Sequence, residues 1–404
     1  MRRWKFAAAA CALMIGGCTG SELYSGGVPA SEEQVLAQDT YYEVPGDPEA
    51  SRVSLRLPGD KKVRGLLIDF YNFDPGAKTP RSQMTSMWGF AIVAHNGNGF
   101  WDEAKDTKVD GQSTGARVGE MIYDFIGRVA DESGHPELLE VPILVHGMSR
   151  FGSMGATFQR DFPNVNVIGY TNIVSGPGKD IETPETIALP GLLLPGEHDG
   201  AAGQIEQMVE LRATEGARLG AAMNWREGHK CGNCELLAFP FFDQVIRERL
   251  KSGGELKTLA EEDGWLASTE DWSTAAKFNS YGGDPAQASW LPNAYTAAVW
   301  RSYVLQESTV KFQSPKALTK EKMQIGELSA SEPLTVRLAG VDGWEGALEL
   351  HDGDFPLPVE GVWIEEDGAR FVEFTLELPP GLHALIPVHD GQPLSRPGLI
   401  MLLE

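Results

Sequence analysis

Val141-Pro-Ile-Leu-Val-His-Gly-Met-Ser-Arg-Phe-Gly-Ser-Met-Gly-Ala156 decides the fold. Its first half is a short apolar run, the pattern of a buried strand, and the run stops abruptly at Gly147-Met148-Ser149. A serine on a tight turn between a strand and a glycine-containing helix is thrust out above the sheet. There a histidine can take its proton and a carbonyl can approach. Ser149 is therefore the candidate nucleophile. Ser153 is a rival, but it falls inside the helix expected over Arg150–Phe162.

Working outward, apolar strands alternate with amphipathic stretches from Tyr41 to Leu250, which predicts an α/β sheet flanked by helices. Val53–Leu57 alternates with period two and predicts an edge strand, whereas Val63–Phe70 is continuously apolar and predicts a buried one. A turn-forming loop, Tyr71–Gly76, a short helix over Gln83–Trp88 and a strand over Phe90–Ala94 follow. Gly111–Asp131 places Val118, Ile122, Phe125, Ile126 and Val129 at helical spacing and leads into the quoted strand. Beyond Ser149, Val165–Tyr170 and Leu189–Leu194 are further strands, and the second ends in Pro195-Gly-Glu-His-Asp-Gly200. A helix over Ala202–Leu219 and a short strand over Ala221–Trp225 lead to Glu227-Gly228-His229, and Cys234–Leu250 closes the unit as a helix.

Two segments of different texture follow. Residues 251–318 carry Trp265, Trp272, Trp290 and Trp300 around an expected helix at Ala294–Val304, and are expected to pack as a helical and loop extension on the catalytic domain. A sugar-binding cleft floored by these rings stays open as a second use of them. In residues 319–404, Leu334–Leu338, Ala347–Leu350 and Arg370–Leu378 alternate, which predicts a small all-β, sandwich-like domain. No internal repeat is evident.

With 57 acidic and 34 basic residues in 404, the net charge is -23, which repels phosphate backbones and excludes nucleic acid as an expected partner. The N-terminus reads as an address. Met1-Arg-Arg-Trp-Lys-Phe is basic, Ala7–Ile15 is apolar, and Gly16-Gly17-Cys18 closes the segment. This resembles a bacterial lipoprotein signal with its lipobox. The resemblance implies removal of residues 1–17, lipidation of Cys18, a flexible tether over residues 19–40, and an exported protein attached to a membrane by its lipid. Cys231 and Cys234 remain, and an exported pair this close is expected to form a disulfide. A redox role stays open. Half a zinc site would need two more ligands, and no second C-x-x-C exists. His95, His146 and His198 lack the spacing of a metal site, so neither metal nor cofactor is expected.

Ser149, Asp199 and His229 each end a predicted strand, in the order nucleophile, acid, histidine, and here residues 41–250 resemble the α/β-hydrolase superfamily. The resemblance implies that Ser149 attacks an acyl carbonyl, His229 relays its proton, and Asp199 orients the imidazole, with Glu197 a rival acid. It further implies that the Arg150 N–H forms half of an oxyanion hole, and that Tyr71 or Asn72 supplies the other half. The usual elbow is G-x-S-x-G, but here Phe151 takes the last position and glycine arrives at Gly152. That G-x-S-R-x-G order is similar to the elbow of glucuronoyl esterases and related carbohydrate esterases, in which the arginine assists the oxyanion site. The expected protein is a lipid-anchored serine hydrolase of carboxylic esters, small-molecule or polysaccharide-linked. A lipase or peptidase on the same scaffold, and a catalytically inactive binding module, are the alternatives.

Overall fold

The computed structural model describes residues 41–43, 52–58, 62–70, 80–96, 113–152, 154–177, 183–313, 328–329, 333–344 and 348–403. The expected signal and tether, with Cys18, lie outside the described residues, as do Tyr71, Asn72 and Ser153. Eight strands form the main sheet: β1 (Tyr41–Glu43), β2 (Arg52–Arg56), β3 (Gly65–Phe70), β4 (Phe90–Asn96), β5 (Ile143–Met148), β6 (Val167–Ile173), β7 (Gly191–Leu194) and β8 (Leu219–Ala221). Their order is β1-β2-β4-β3-β5-β6-β7-β8. β2 runs antiparallel to β1 and β4, and every later pairing is parallel. This is the arrangement of an α/β-hydrolase fold. β2, read from its alternation as an edge strand, lies one place in, because β1 covers its outer side.

The parallel strands read as continuous apolar runs because both of their faces are buried. Leu66, Ile68, Ile143 and Val145 face one core, and Leu67 and Leu144 face the other. The first core is closed by α2 (Thr114–Ser133), α3 (Met154–Asp161) and α5 (Ala201–Glu215), while α4 (Pro184–Ile187) is a single turn. Helix α2 buries the five residues that the spacing picked out. It starts where the Ser113 side chain accepts the Ala116 N–H and stops at Gly134, whose φ of 76° is left-handed. The second core is closed by α1 (Pro80–Trp88), α6 (Glu235–Arg249) and α7 (Ala294–Tyr303).

Residues 251–313, expected to be helix and loops, also contain a three-stranded antiparallel sheet. Its strands are β9 (Trp265–Ser268), β10 (Ala275–Lys277) and β11 (Ala288–Leu291), in the order β10-β9-β11. Trp290 and Trp300 are fully buried, and the Trp300 indole N–H donates to the Ala221 carbonyl at the end of β8. Trp272 stacks on Trp300 with ring centroids 5.8 Å apart. Trp300 and Trp272 thus tie the extension to the core beneath the main sheet, while Trp290 packs within the extension against Leu259 and Leu266.

Beyond it are two more sheets. One has the order β12-β14-β18-β17, from Lys311–Phe312, Leu334–Ala339, Ala369–Leu376 and Val362–Glu366. The other has the order β13-β21-β19-β15-β16, from Leu328–Ser329, Gly398–Leu403, Gly381–His389, Glu349–Asp352 and Phe355–Pro356, with β20 (Gln392–Pro393) pairing β19. Val336, Phe374, Leu376, Leu350, Leu385 and Ile400 share one core between the sheets. β19 is the central strand, and no sequence alternation marks it. Leu382, Ala384, Ile386 and Val388 join the core of α6 and α7, while Leu385 joins the sandwich, so both faces are buried, with the polar His383 held by Asp352.

Candidate active site

Ser149 follows β5 directly, with φ at 56°. A serine in the left-handed region is strained, and such strain persists only where the surroundings enforce it. Two close approaches do so here. A Cβ on Gly147 would lie 2.1 Å from the Phe151 carbonyl oxygen, and one on Gly152 would lie 2.5 Å from Ser175 Cβ. The chain therefore turns tightly beneath the serine. Residues Ser149–Phe151 form a short 3-10 turn closed by Gly152 N–H donating to Ser149 O at 2.8 Å, and α3 starts only at Met154. That corrects the continuous helix expected from Arg150. Phe151, the residue that breaks the usual elbow pattern, is buried and stacks on Phe70 with centroids 5.1 Å apart and planes 3° apart. The contact requirement of the elbow has moved to Gly152, and Phe151 fills the core instead.

Asp199 lies after β7 and His229 after β8, at the same carboxyl edge of the sheet as Ser149. Asp199 Oδ2 and His229 Nδ1 are 2.8 Å apart. With an ionised Asp199 the Nδ1 carries the proton, so Nε2 is the basic nitrogen. Their loops are laced together. Asn224 N–H donates to Pro195 O at 2.9 Å, Glu197 N–H to Asn224 O at 3.2 Å, and His198 N–H to Glu227 O at 2.9 Å. Glu197, the rival acid, instead accepts the Arg226 N–H on Oε2 at 2.8 Å and lies 3.9 Å from His198 Nε2. It secures the loop, and the structure pairs Asp199 with His229. Nor does Asp199 cap α5: the N-cap is Gly200, with φ at 72° and no side-chain bond. Sequence reasoning missed Asn224, three residues beyond β8, whose side-chain amide donates to the Cys231 carbonyl; no local pattern marked it.

Cys231 and Cys234 form a disulfide with Cα atoms 5.1 Å apart, just beyond His229. His146, in β5, is fully buried with Nδ1 2.6 Å from Thr171 Oγ1, and burial, helped by the nearby Arg81 charge, pulls its pKa down to about 3. It is a neutral core residue. Among the described residues no group of three or more His, Cys, Asp or Glu side chains could hold a metal ion, and no helix is long and apolar enough to cross a membrane. Arg150 is exposed beside the serine, while the other expected oxyanion donors, Tyr71 and Asn72, fall outside the described residues.

No protein-family model matches the chain, and no curated protein matches it. Among solved structures, an esterase from Pyrobaculum calidifontis is similar at 16% identity over 48% of this chain and 77% of that one, with a TM-score of 0.31. A CIB-like hydrolase from Thermoplasma acidophilum is similar at 16% identity over 48% of this chain and 91% of that one, with a TM-score of 0.31. A poly(3-hydroxybutyrate) depolymerase from Bordetella parapertussis is similar at 13% identity over 56% of this chain and 92% of that one, with a TM-score of 0.34. The strand order and the parallel pairings of this chain, rather than these distant likenesses, identify its main sheet as an α/β-hydrolase fold.

Proposed function

We propose that the protein is a serine hydrolase that cleaves carboxylic esters through an acyl-enzyme. The observation that carries this reading is Ser149 on a strained turn at the sheet edge that also presents the hydrogen-bonded Asp199–His229 pair. Ser149 Oγ attacks the ester carbonyl carbon while His229 Nε2 takes the hydroxyl proton. Asp199 keeps the imidazole oriented and stabilises its charged form. For the tetrahedral oxyanion we assign the Arg150 N–H together with an N–H of Tyr71 or Asn72, the donors that the hydrolase resemblance implies. Collapse breaks the bond to the leaving alkoxide, which takes the proton from His229, and an acyl group remains on Ser149 Oγ. Water, activated by the same imidazole, then attacks the acyl carbon, releasing the acid and restoring the serine.

Carbohydrate-linked esters are the substrate class we favour, because Arg150 and Gly152 reproduce the elbow of esterases that act on them. Attachment to a membrane through a lipidated Cys18 completes the proposal and rests on the sequence of residues 1–18. The test is turnover of short acyl, feruloyl and uronate methyl esters by protein lacking residues 1–18, beside Ser149→Ala. The reading requires turnover of at least one ester, abolished in the variant. Equal hydrolysis by Ser149→Ala, or none by the wild type on any ester, rejects it.

A further inference from the structure

Glu235 is the first residue of α6 and directly follows Cys234, so it stands at the exit of the loop that carries His229. It is gripped from α1. Arg81 Nε and Nη2 both donate to Glu235 Oε1, at 2.8 and 2.5 Å, and Arg81 Nη1 donates to Asp69 Oδ2 at 2.9 Å. Asp69 is fully buried near the end of β3, and in the sheet register it lies opposite His146, three residues before Ser149. One guanidinium therefore ties the strand beside the nucleophile to the exit of the base loop.

Burial alone would lower the affinity of Arg81 for its proton, but the two carboxylates raise it further, so the cation is permanent. Simple packing does not call for such a group, since apolar residues of similar size fill a core at less desolvation cost. A fork of fixed geometry between two carboxylates does something packing cannot: it sets the distance and angle between the elements that carry them. The entry of the same loop is already fixed by its hydrogen bonds to residues 195–198, and its middle by the Asn224 amide on the Cys231 carbonyl. At the exit the disulfide ties Cys234 back to Cys231 within the loop, and Arg81 on Glu235 ties that exit across to β3.

We propose that Arg81, through Glu235, is a positioning residue that holds the His229 loop in register with the Ser149 strand. The proposal rests on the serine-hydrolase reading for its effect on turnover. Its geometric part is tested separately. Arg81→Lys supplies a point charge that cannot fork across two carboxylates, and Glu235→Gln keeps the shape of its side chain but removes the charge. For each variant, kcat per fluorophosphonate-titrated serine should fall about 100-fold, as expected when a reacting group is displaced by about 1 Å. KM should change by no more than about twofold, since substrate binding is untouched. Backbone amides of residues 226–234 should exchange with solvent faster than in the wild type, while those of β5 and β6 keep their protection. Combined with Cys231→Ser and Cys234→Ser, the loss in kcat should be smaller than the product of the separate losses, because both devices fix one loop. Wild-type kcat per titrated serine together with wild-type protection of residues 226–234, in both variants, overturns the proposal. A wild type that neither labels nor turns over would sink the hydrolase reading instead, and the exchange of the loop, which needs no turnover, would still decide for or against the clamp.

Discussion

Phe151→Gly is the substitution on which sequence pattern and structure disagree most sharply. It restores glycine at the second position after the serine, so by motif alone the variant looks improved. Structurally it removes a side chain that is 5% exposed and stacked on Phe70, from a turn that already has its glycine at Gly152. Truncating a buried Phe to Ala costs about 3–5 kcal/mol, and replacing the remaining methyl by the freedom of glycine adds about 0.5–1 kcal/mol. A total of about 3.5–6 kcal/mol is a large share of the roughly 5–15 kcal/mol that holds a domain folded. Urea unfolding followed by tryptophan fluorescence, with ester turnover measured alongside, reads both consequences. The expected result is a midpoint well below that of the wild type and weakened turnover. Gly152→Ala is the companion: its Cβ would meet Ser175 Cβ at 2.5 Å and Ser149 O at 3.1 Å, so it should cost about 1–3 kcal/mol by overpacking and depress turnover further by shifting the serine. A Phe151→Gly protein within about 1 kcal/mol of the wild type would refute the claim that Phe151 has become core and Gly152 the elbow glycine.

Further outcomes follow from the same geometry. His229→Ala should reduce kcat by about a million-fold and Asp199→Ala by about ten-thousand-fold, the usual ranking of base and orienting acid, and equal activity of either variant and the wild type in steady-state ester assays contradicts the pairing. Replacing Cys231 and Cys234 together by Ser should cost only about 2 kcal/mol of stability, because the closed loop is short, yet lower turnover by more than the folded fraction explains. His383 gives a pH test. Burial alone would lower its pKa, but Asp352 at 2.7 Å from Nδ1, the Pro379 carbonyl at 2.8 Å from Nε2 and the nearby Asp243 raise it above the ordinary value. A raised folded pKa means stabilisation that is complete below the unfolded value of about 6.5 and lost as pH rises through the folded one. Thermal unfolding midpoints should therefore decline on the alkaline side, and His383→Gln should flatten that decline; a parallel decline in the variant removes His383 as its cause.

Legibility of the sequence tracked how periodic each element is. The strands from Val63 to Phe70 and from Val141 to Met148 announce themselves because burial on both faces needs an unbroken apolar run, and α2 because one face must be apolar every three or four residues. The same double burial hid β19. Gly-Leu-His-Ala-Leu-Ile-Pro-Val-His389 follows an alternating strand in a region where alternation was the signal, and it is buried on both sides because α6 and α7 cover the outer one. Asp199 and His229 were legible as polar residues just past strand ends. What could not be read was which acid meets the imidazole, since Glu197 and Asp199 are two residues apart and only the folded contacts, Glu197 to the Arg226 N–H and Asp199 to His229, separate their roles. Arg81 and Glu235 lie 154 residues apart, and nothing local marks either as a partner of the other.

The central claim is that Ser149 is a nucleophile activated by His229. Peptide mapping by mass spectrometry after treatment with a fluorophosphonate tests it most directly. The account predicts one phosphonyl adduct, on Ser149, formed rapidly in the wild type, absent from Ser149→Ala and greatly slowed in His229→Ala. An adduct on another serine, or labelling of Ser149 that proceeds as fast without His229, would contradict it.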